Sequence, residues 1–216
     1  MNPTVRRFPW TMGVGFVLLI LALSLAFLLV KAESRAAQPL PIYAQISDFS
    51  LTNENNSPVS LADLRGHVWI ADIIFTRCPG PCIRMTRQMK ELQDALPKDA
   101  QTKLISLTTD PDYDTPAVLK TYGERNGADD NRWTFLTGTK KQINNLAVDS
   151  LKLSAVEKKP EDRVSPEDLW VHSTILVLVD KQARLRGIYQ TGGDDVDWPT
   201  EKQKLLAAAK QLEREP

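Results

Sequence analysis

Cysteine and histidine are the scarcest chemistry-bearing residues in this chain, with two of each among 216 residues. Without a third cysteine, a structural zinc site built from thiolates is disfavoured, because such sites complete a tetrahedron with protein side chains. Neither sign of charge prevails: 27 Lys and Arg stand against 27 Asp and Glu. A nucleic-acid footprint needs a basic surplus on one face, so nucleic acid is not expected as a partner. There is no internal repeat and no low-complexity tract, which excludes a solenoid. What remains, at 42% hydrophobic and 25% charged residues, is one ordinary globular domain plus an extra segment.

The extra segment is N-terminal. Met12 to Val30 is a run of nineteen uncharged residues, nearly all Leu, Val, Ile, Phe, Ala and Gly, preceded by Arg6 and Arg7. A bilayer core about 30 Å thick needs about 20 such residues in a helix, so the run predicts a transmembrane anchor. The competing reading is a cleaved secretory signal, whose apolar region is about 7–15 residues long, with Val30-Lys31-Ala32 as the cut site. Arg6 and Arg7 keep the N-terminus cytoplasmic, which places the rest of the chain outside. The expected product is a single-pass inner-membrane protein with its soluble domain on the periplasmic, extracytoplasmic side. Residues 1–31 then form the cytoplasmic N-terminus and anchor, 32–41 a linker, and 42–216 the domain. Thiols in that compartment are disulfide-permissive, so thiols kept for metal work need a reductant.

Both cysteines fall in one stretch, Phe75-Thr76-Arg77-Cys78-Pro79-Gly80-Pro81-Cys82. The apolar run Val68 to Phe75 before it reads as a buried strand, and Cys82 to about Leu96 after it as a helix that Pro97 ends. If Cys78 caps that helix, Pro79 and Pro81 fall in its first turn, where missing N–H groups cost little. Residues four apart are neighbours on a helix, so both thiols share a face. The partial positive charge of a helix N-terminus lowers a thiol's pKa and favours thiolate. The stretch is therefore expected to bind a soft metal, to perform thiol–disulfide chemistry, or both. A plain structural disulfide or a pair of buried thiols is the simpler alternative.

The rest of the chain arranges itself around that turn. Phe49–Thr52 and Pro58–Ser60 predict a short hairpin, and Ser60 with Asp63 a capping box over a single helical turn. His67 belongs to the turn entering the main strand and reads as structural or solvated. Met85, Met89 and Leu92 recur at helical spacing, as core packing would have them rather than a copper relay. Lys103–Thr108 is a strand, and Thr115 and Pro116 start a helix reaching about Tyr122. The loop between carries Asp110, Asp112 and Asp114; Asp110 is the candidate to support the cysteines, the other two being ordinary turn carboxylates. Trp133–Leu136 is a strand, Thr139 to about Leu151 a helix, and Lys152–Leu169 a long polar loop. His172 follows, at the start of the apolar strand Ile175–Asp180, which pairs back through Arg184–Gln190. Asp197–Glu215 is a closing amphipathic helix. The order β–α–β–α–β–α–β–β–α, with a dithiol at the first main strand-to-helix turn, predicts a thioredoxin-like α/β fold, a central sheet with flanking helices.

Taken together, Phe75-Thr-Arg-Cys78-Pro-Gly-Pro-Cys82, Asp110-Pro-Asp-Tyr-Asp114-Thr115-Pro116, Leu136-Thr-Gly-Thr139 and His172-Ser-Thr resemble the Sco/SenC family in order and spacing. These are membrane-anchored copper proteins of cytochrome c oxidase assembly, and the likeness spans roughly Phe49 to Tyr189. The resemblance implies that Cys78, Cys82 and His172 bind one copper ion. It also implies delivery of that copper to the dinuclear copper centre in the oxidase's copper-containing subunit. Two thiolates and an imidazole suit Cu(I) and also hold Cu(II). Where redox thioredoxins place a proline facing the dithiol, Val171-His172-Ser173-Thr174 has none. The chain departs from the family at Ile83, where proline is common, and at Lys181-Gln182-Ala183, where glycine is usual. A second function class therefore stays open: a thiol–disulfide oxidoreductase using Cys78 and Cys82 to keep oxidase or other exported cysteines reduced, served by a thiol reductant or another copper chaperone.

Overall fold

A computed structural model describes residues 15–26, 39–163 and 170–216, the side chains of Ala155, Trp170 and His172 excepted. The chain divides into two compact units, Met1–Pro39 and Leu40–Pro216. Within the first, residues 15–26 are helical (α1). No helix among the described residues is long and apolar enough to cross a membrane. The remainder of the expected anchor, Arg6 and Arg7, and most of the expected linker lie outside the described residues.

The second unit is built on an eight-stranded sheet. Its strands are β1 (Ala44–Gln45), β2 (Ser50–Asn53), β3 (Pro58–Ser60), β4 (Trp69–Ile74), β5 (Lys103–Thr108), β6 (Trp133–Thr137), β9 (Ile175–Val179) and β10 (Arg184–Gln190). Their order is β1-β10-β9-β4-β5-β6-β2-β3. The central strands β4, β5 and β6 are parallel, whereas β9 runs antiparallel to β4. A further ribbon, β7 (Ala155–Glu157) with β8 (Trp170–His172), stands apart from the sheet.

Every residue of β4 is buried, as a strand covered on both faces requires. Ile70 and Ile74 pack with α3 (Pro81–Ala95), α4 (Pro116–Arg125) and α6 (Trp198–Arg214) through Met89, Leu92, Leu119, Leu205 and Leu212. Trp69, Ala71 and Ile73 face the opposite core, with Leu61 and Leu64 of α2 (Leu61–Leu64) and Ile143 of α5 (Lys140–Asn144). Alternation along one strand thus serves two helical layers.

The local signals for helix starts act as expected. The Asp63 carboxylate accepts the Ser60 backbone N–H at 2.7 Å, the Thr115 hydroxyl oxygen accepts the Val118 N–H, and Thr139 and Gln142 cap each other. Two expectations change, and one strand is new. The helix begun at Thr139 is α-helical only through Asn144 and continues as a π-helix over Asn145–Ser150, a wider turn that turns Leu146, Ala147 and Leu151 all into the core. The polar stretch after Leu151 is not one loop, since it contains β7, a 3-10 turn at Pro160–Asp162 and then β8; residues 164–169 lie outside the described residues. β1 is two residues long, too short to show a period, and is held by pairing with β10.

A buried ion network closes the end of the sheet remote from the cysteines. Arg186, 3% exposed, donates from Nη1 to Asp180 at 2.7 Å and to Glu215 at 2.9 Å, and from Nη2 to the Leu40 carbonyl at 2.8 Å. Burial alone would raise the Asp180 carboxyl, but hydrogen bonds from Arg186 and Arg184 outweigh it and hold its pKa below the ordinary value. Arg186→Ala leaves that carboxylate buried and short of its main partner, so urea denaturation at pH 7 is expected to lose about 3–5 kcal/mol. A depressed native pKa contributes stability above the unfolded value, about 3.9, and loses it as pH falls through the native one. The part of acid denaturation below about pH 4 should therefore shrink in the variant; an unchanged acid limb would remove Asp180 as its source.

Candidate metal centre

Strand β4 ends at Ile74 and the chain turns at once, the Cys78 N–H closing the turn on the Phe75 carbonyl at 3.1 Å. Gly80, not Cys78, is the N-cap of α3, and Pro81 is its first residue. Proline is favoured at that first position and costs nothing there, so the helix starts two residues later than expected and Pro79 stays outside it. Cys82 still lies in the first turn. Both cysteines are thiols, not a disulfide, and their side chains share a hydrogen bond. Cys78 is 8% exposed and Cys82 1%.

The electrostatics differ from the sequence expectation. The hydrogen bond with Cys78 raises the Cys82 pKa most, burial adds to it, and the negative charges of Cys78 and Asp72 push the same way. A helix N-terminus contributes roughly 0.3–2 kcal/mol to an adjacent charge. At 1.36 kcal/mol per pKa unit, that is too little to offset two thiols packed together without water. Cys82 is thus held protonated in the metal-free state. Asp72 is a carboxylate fully buried in β4, on the α3 face. Its signal in the sequence is an acidic residue inside an otherwise apolar strand.

Because β5 is parallel to β4, the loop leaving β5 emerges on the same sheet edge as the cysteine turn. Its three acids take three different positions. Asp110, 6% exposed, accepts from Arg77 Nη2 at 2.6 Å, and the Arg77 guanidinium lies 3.9 Å above the Tyr113 ring. It therefore reaches the cysteine turn through Cys78's neighbour. Asp112 is exposed and pairs with Lys140 at 2.8 Å, as a turn carboxylate would. Asp114 is not an ordinary turn carboxylate. It is fully buried, accepting from the Thr76 N–H at 3.1 Å, from the Thr76 hydroxyl, and from the Thr108 hydroxyl at 2.5 Å. Burial raises its pKa against those bonds.

His172 is described by its backbone, as the last residue of β8, beside Ala155 of β7. Strand β9 pairs antiparallel with β4 at Trp69↔Val179, Ile70↔Leu178 and Ala71↔Val177. Continuing that register sets Ile175 level with Ile73, so the residues before it pass beyond the carboxyl end of β4. The link to the cysteine helix is material: Thr191 donates its N–H to the Thr174 carbonyl at 2.9 Å, and the buried Gln88 of α3 donates to the Thr191 carbonyl at 2.8 Å. Sequence patterns gave no hint of Gln88 or Thr191. Among the described residues, no group of three or more His, Cys, Asp or Glu side chains is placed to hold a metal.

His67 is at the other end of β4, before Trp69. Six strand residues at about 3.3 Å each separate it from the cysteine turn. Met85, Met89 and Leu92 are fully buried, as core residues are.

A buried, protonated Cys82 has a chemical consequence. In the reduced protein at pH 8, iodoacetamide should modify Cys82 at least about a hundredfold more slowly than in urea, because thiolate is the reacting form. Mass spectrometry of the labelled peptides reads this directly, and equal native and denatured rates would contradict the burial.

Residues 38–206 match the SCO1/SenC family model. The SCO1 protein homolog of Bacillus subtilis is 33% identical over 162 residues, covering 72% of this chain and 81% of that protein. The fold is shared with BsSco, a solved member of the Sco family of cytochrome c oxidase assembly proteins in which a disulfide switch was identified (TM-score 0.64, 24% identity, 83% of this chain and 100% of that one). It is shared also with yeast Sco1 with copper bound (TM-score 0.59, 22% identity, 77% of this chain and 89% of that one). With the cysteine turn, the acidic loop and the sheet order all in place across the matched span, the chain belongs to the SCO1/SenC family.

Proposed function

We propose that this chain is a membrane-anchored metallochaperone that carries one copper ion on Cys78, Cys82 and His172 and passes it to the copper-containing subunit of cytochrome c oxidase. Topology supports this reading most. The cysteine turn and the Asp110–Asp114 loop emerge on one edge of the sheet, and Thr174, two residues after His172, is linked through Thr191 to Gln88 of the cysteine helix. Ligands bind at that edge in open α/β sheets. The donor chemistry fits the cargo: two adjacent sulfurs with no third thiol in the chain form a soft, low-coordinate pair that prefers Cu(I) over hard cations. Copper displaces the thiol protons on binding, and an acceptor's own thiolates or imidazoles then replace the ligands one at a time. Family membership and the copper bound to yeast Sco1 support the choice of metal, and BsSco, as a member of a family of cytochrome c oxidase assembly proteins, supports the oxidase. The apolar run Met12–Val30 with Arg6 and Arg7 supports a single-pass arrangement, the domain outside the inner membrane.

Titration of the reduced, purified protein with Cu(I) against a chromophoric chelator is expected to give one tight site. His172→Ala should lower the affinity at least about tenfold, roughly 1.4 kcal/mol, and alter the Cu(II) absorption spectrum. Unchanged affinity and spectrum in that variant would remove His172 from the site.

The sulfur-to-sulfur hydrogen bond also favours a second reading, a thiol–disulfide oxidoreductase in which one cysteine attacks and the other resolves the mixed disulfide. Under that reading the metal-free protein reduces a disulfide substrate with turnover, and His172→Ala retains the rate. Stoichiometric reduction without turnover would exclude it.

A further inference from the structure

Neither functional reading gives Asp114 a task. Its position argues for one. The carboxylate has no exposure to solvent, and a buried carboxylate is costly unless it is hydrogen-bonded. Two of its three bonds go to a single residue, Thr76, through both the backbone N–H and the hydroxyl. The third goes to Thr108, the last residue of β5. Asp114 therefore fastens the chain two residues before Cys78 to the end of the neighbouring strand. Its own backbone is fixed in turn, since the Asp114 N–H donates to the Asp110 carbonyl at 2.8 Å. Beyond Thr76 the path to the sulfurs is short: Arg77 is tied to Asp110, Cys78 closes on Phe75, and α3 begins at Pro81.

We infer that Asp114 is a positioning residue of the dithiol: by holding Thr76 it sets where Cys78 stands against Cys82, and with it the effective concentration of one thiol at the other. The inference rests on the two cysteines acting as a pair, which both functional readings require, and it does not depend on copper.

The test is the exchange equilibrium of the metal-free protein with glutathione. Cys78 and Cys82 lose two protons and two electrons to form their disulfide, while oxidised glutathione is cleaved and takes them up as two thiols, through a mixed disulfide. Asp114→Ala frees the turn, so the equilibrium constant for forming the protein disulfide should fall about tenfold, a rise of about 30 mV in midpoint potential. Asp114→Asn keeps an acceptor for the Thr76 N–H and should recover most of that loss. Thr76→Val removes one of the two bonds and should lower the constant about threefold, about 14 mV by the same conversion. Val179→Ala, in the buried part of β9 on the other face of the sheet, destabilises the fold without touching the turn and should leave the constant unchanged. An unchanged constant in both Asp114→Ala and Thr76→Val overturns the inference, as does an equal shift in Val179→Ala. If Asp114→Ala does not fold, Thr76→Val decides alone, a fall supporting and no change overturning. Absence of copper binding by the wild type would overturn the chaperone reading and leave this measurement standing.

Discussion

Strand β4 has a parallel neighbour on one side and an antiparallel neighbour on the other, and the site depends on that asymmetry. A parallel neighbour delivers its outgoing loop to the carboxyl edge; an antiparallel neighbour delivers its incoming segment there. The Asp110–Asp114 loop thus leaves β5, and the chain enters β9, at the edge where the cysteine turn leaves β4. Reversing either pairing would send one of them to the edge where His67 sits. The hydrogen-bond ladder of the sheet is what converts sequence distance into proximity, and its register leaves little slack, since a slip of one residue turns every side chain to the other face.

At Cys82 the helix N-terminus, which favours thiolate, is outweighed first by the hydrogen bond with Cys78 and then by burial. The helix N-terminus favours negative charge, but Cys82 is sealed beneath its own helix beside another sulfur and over the buried Asp72. Removing water magnifies every like-charge interaction in the cluster, whereas the dipole's contribution is bounded at a kilocalorie or two. Held protonated, Cys82 resists alkylation and oxidation, because thiolate is the reacting form.

The acidic loop shows how little residue type says about role. Asp110, Asp112 and Asp114 lie within five residues and share a chemistry, yet one pairs with an arginine beside Cys78, one reaches a surface lysine, and one is sealed between two threonines. The tight turn after β5, closed by the N–H groups of Tyr113 and Asp114 on the Asp110 carbonyl, points successive side chains in different directions. Exposure then sorts them: a surface ion pair contributes about 0–1 kcal/mol, whereas a buried hydrogen-bonded carboxylate constrains everything attached to it.

Much of this protein was legible in its sequence. The two central cores, the strands Trp69–Ile74, Lys103–Thr108 and Ile175–Val179, the helices capped at Ser60, Thr115 and Thr139, and the dithiol at a strand-to-helix turn all follow from local apolar periodicity and local capping chemistry. Those signals act over a few residues, so a linear reading captures them. The short strand Ala44–Gln45, the ribbon of Ala155–Glu157 with Trp170–His172, the π-helical turn, the protonation of Cys82 and the burial of Asp114 did not follow. Each depends on what lies across the sheet or beneath a helix, where the partner comes from tens of residues away. By itself the sequence determined which residues can do chemistry and which segments are strand or helix, because propensity is local. Only the tertiary structure decided how much water each thiol and carboxylate keeps, and burial is the quantity that sets their charge and their task.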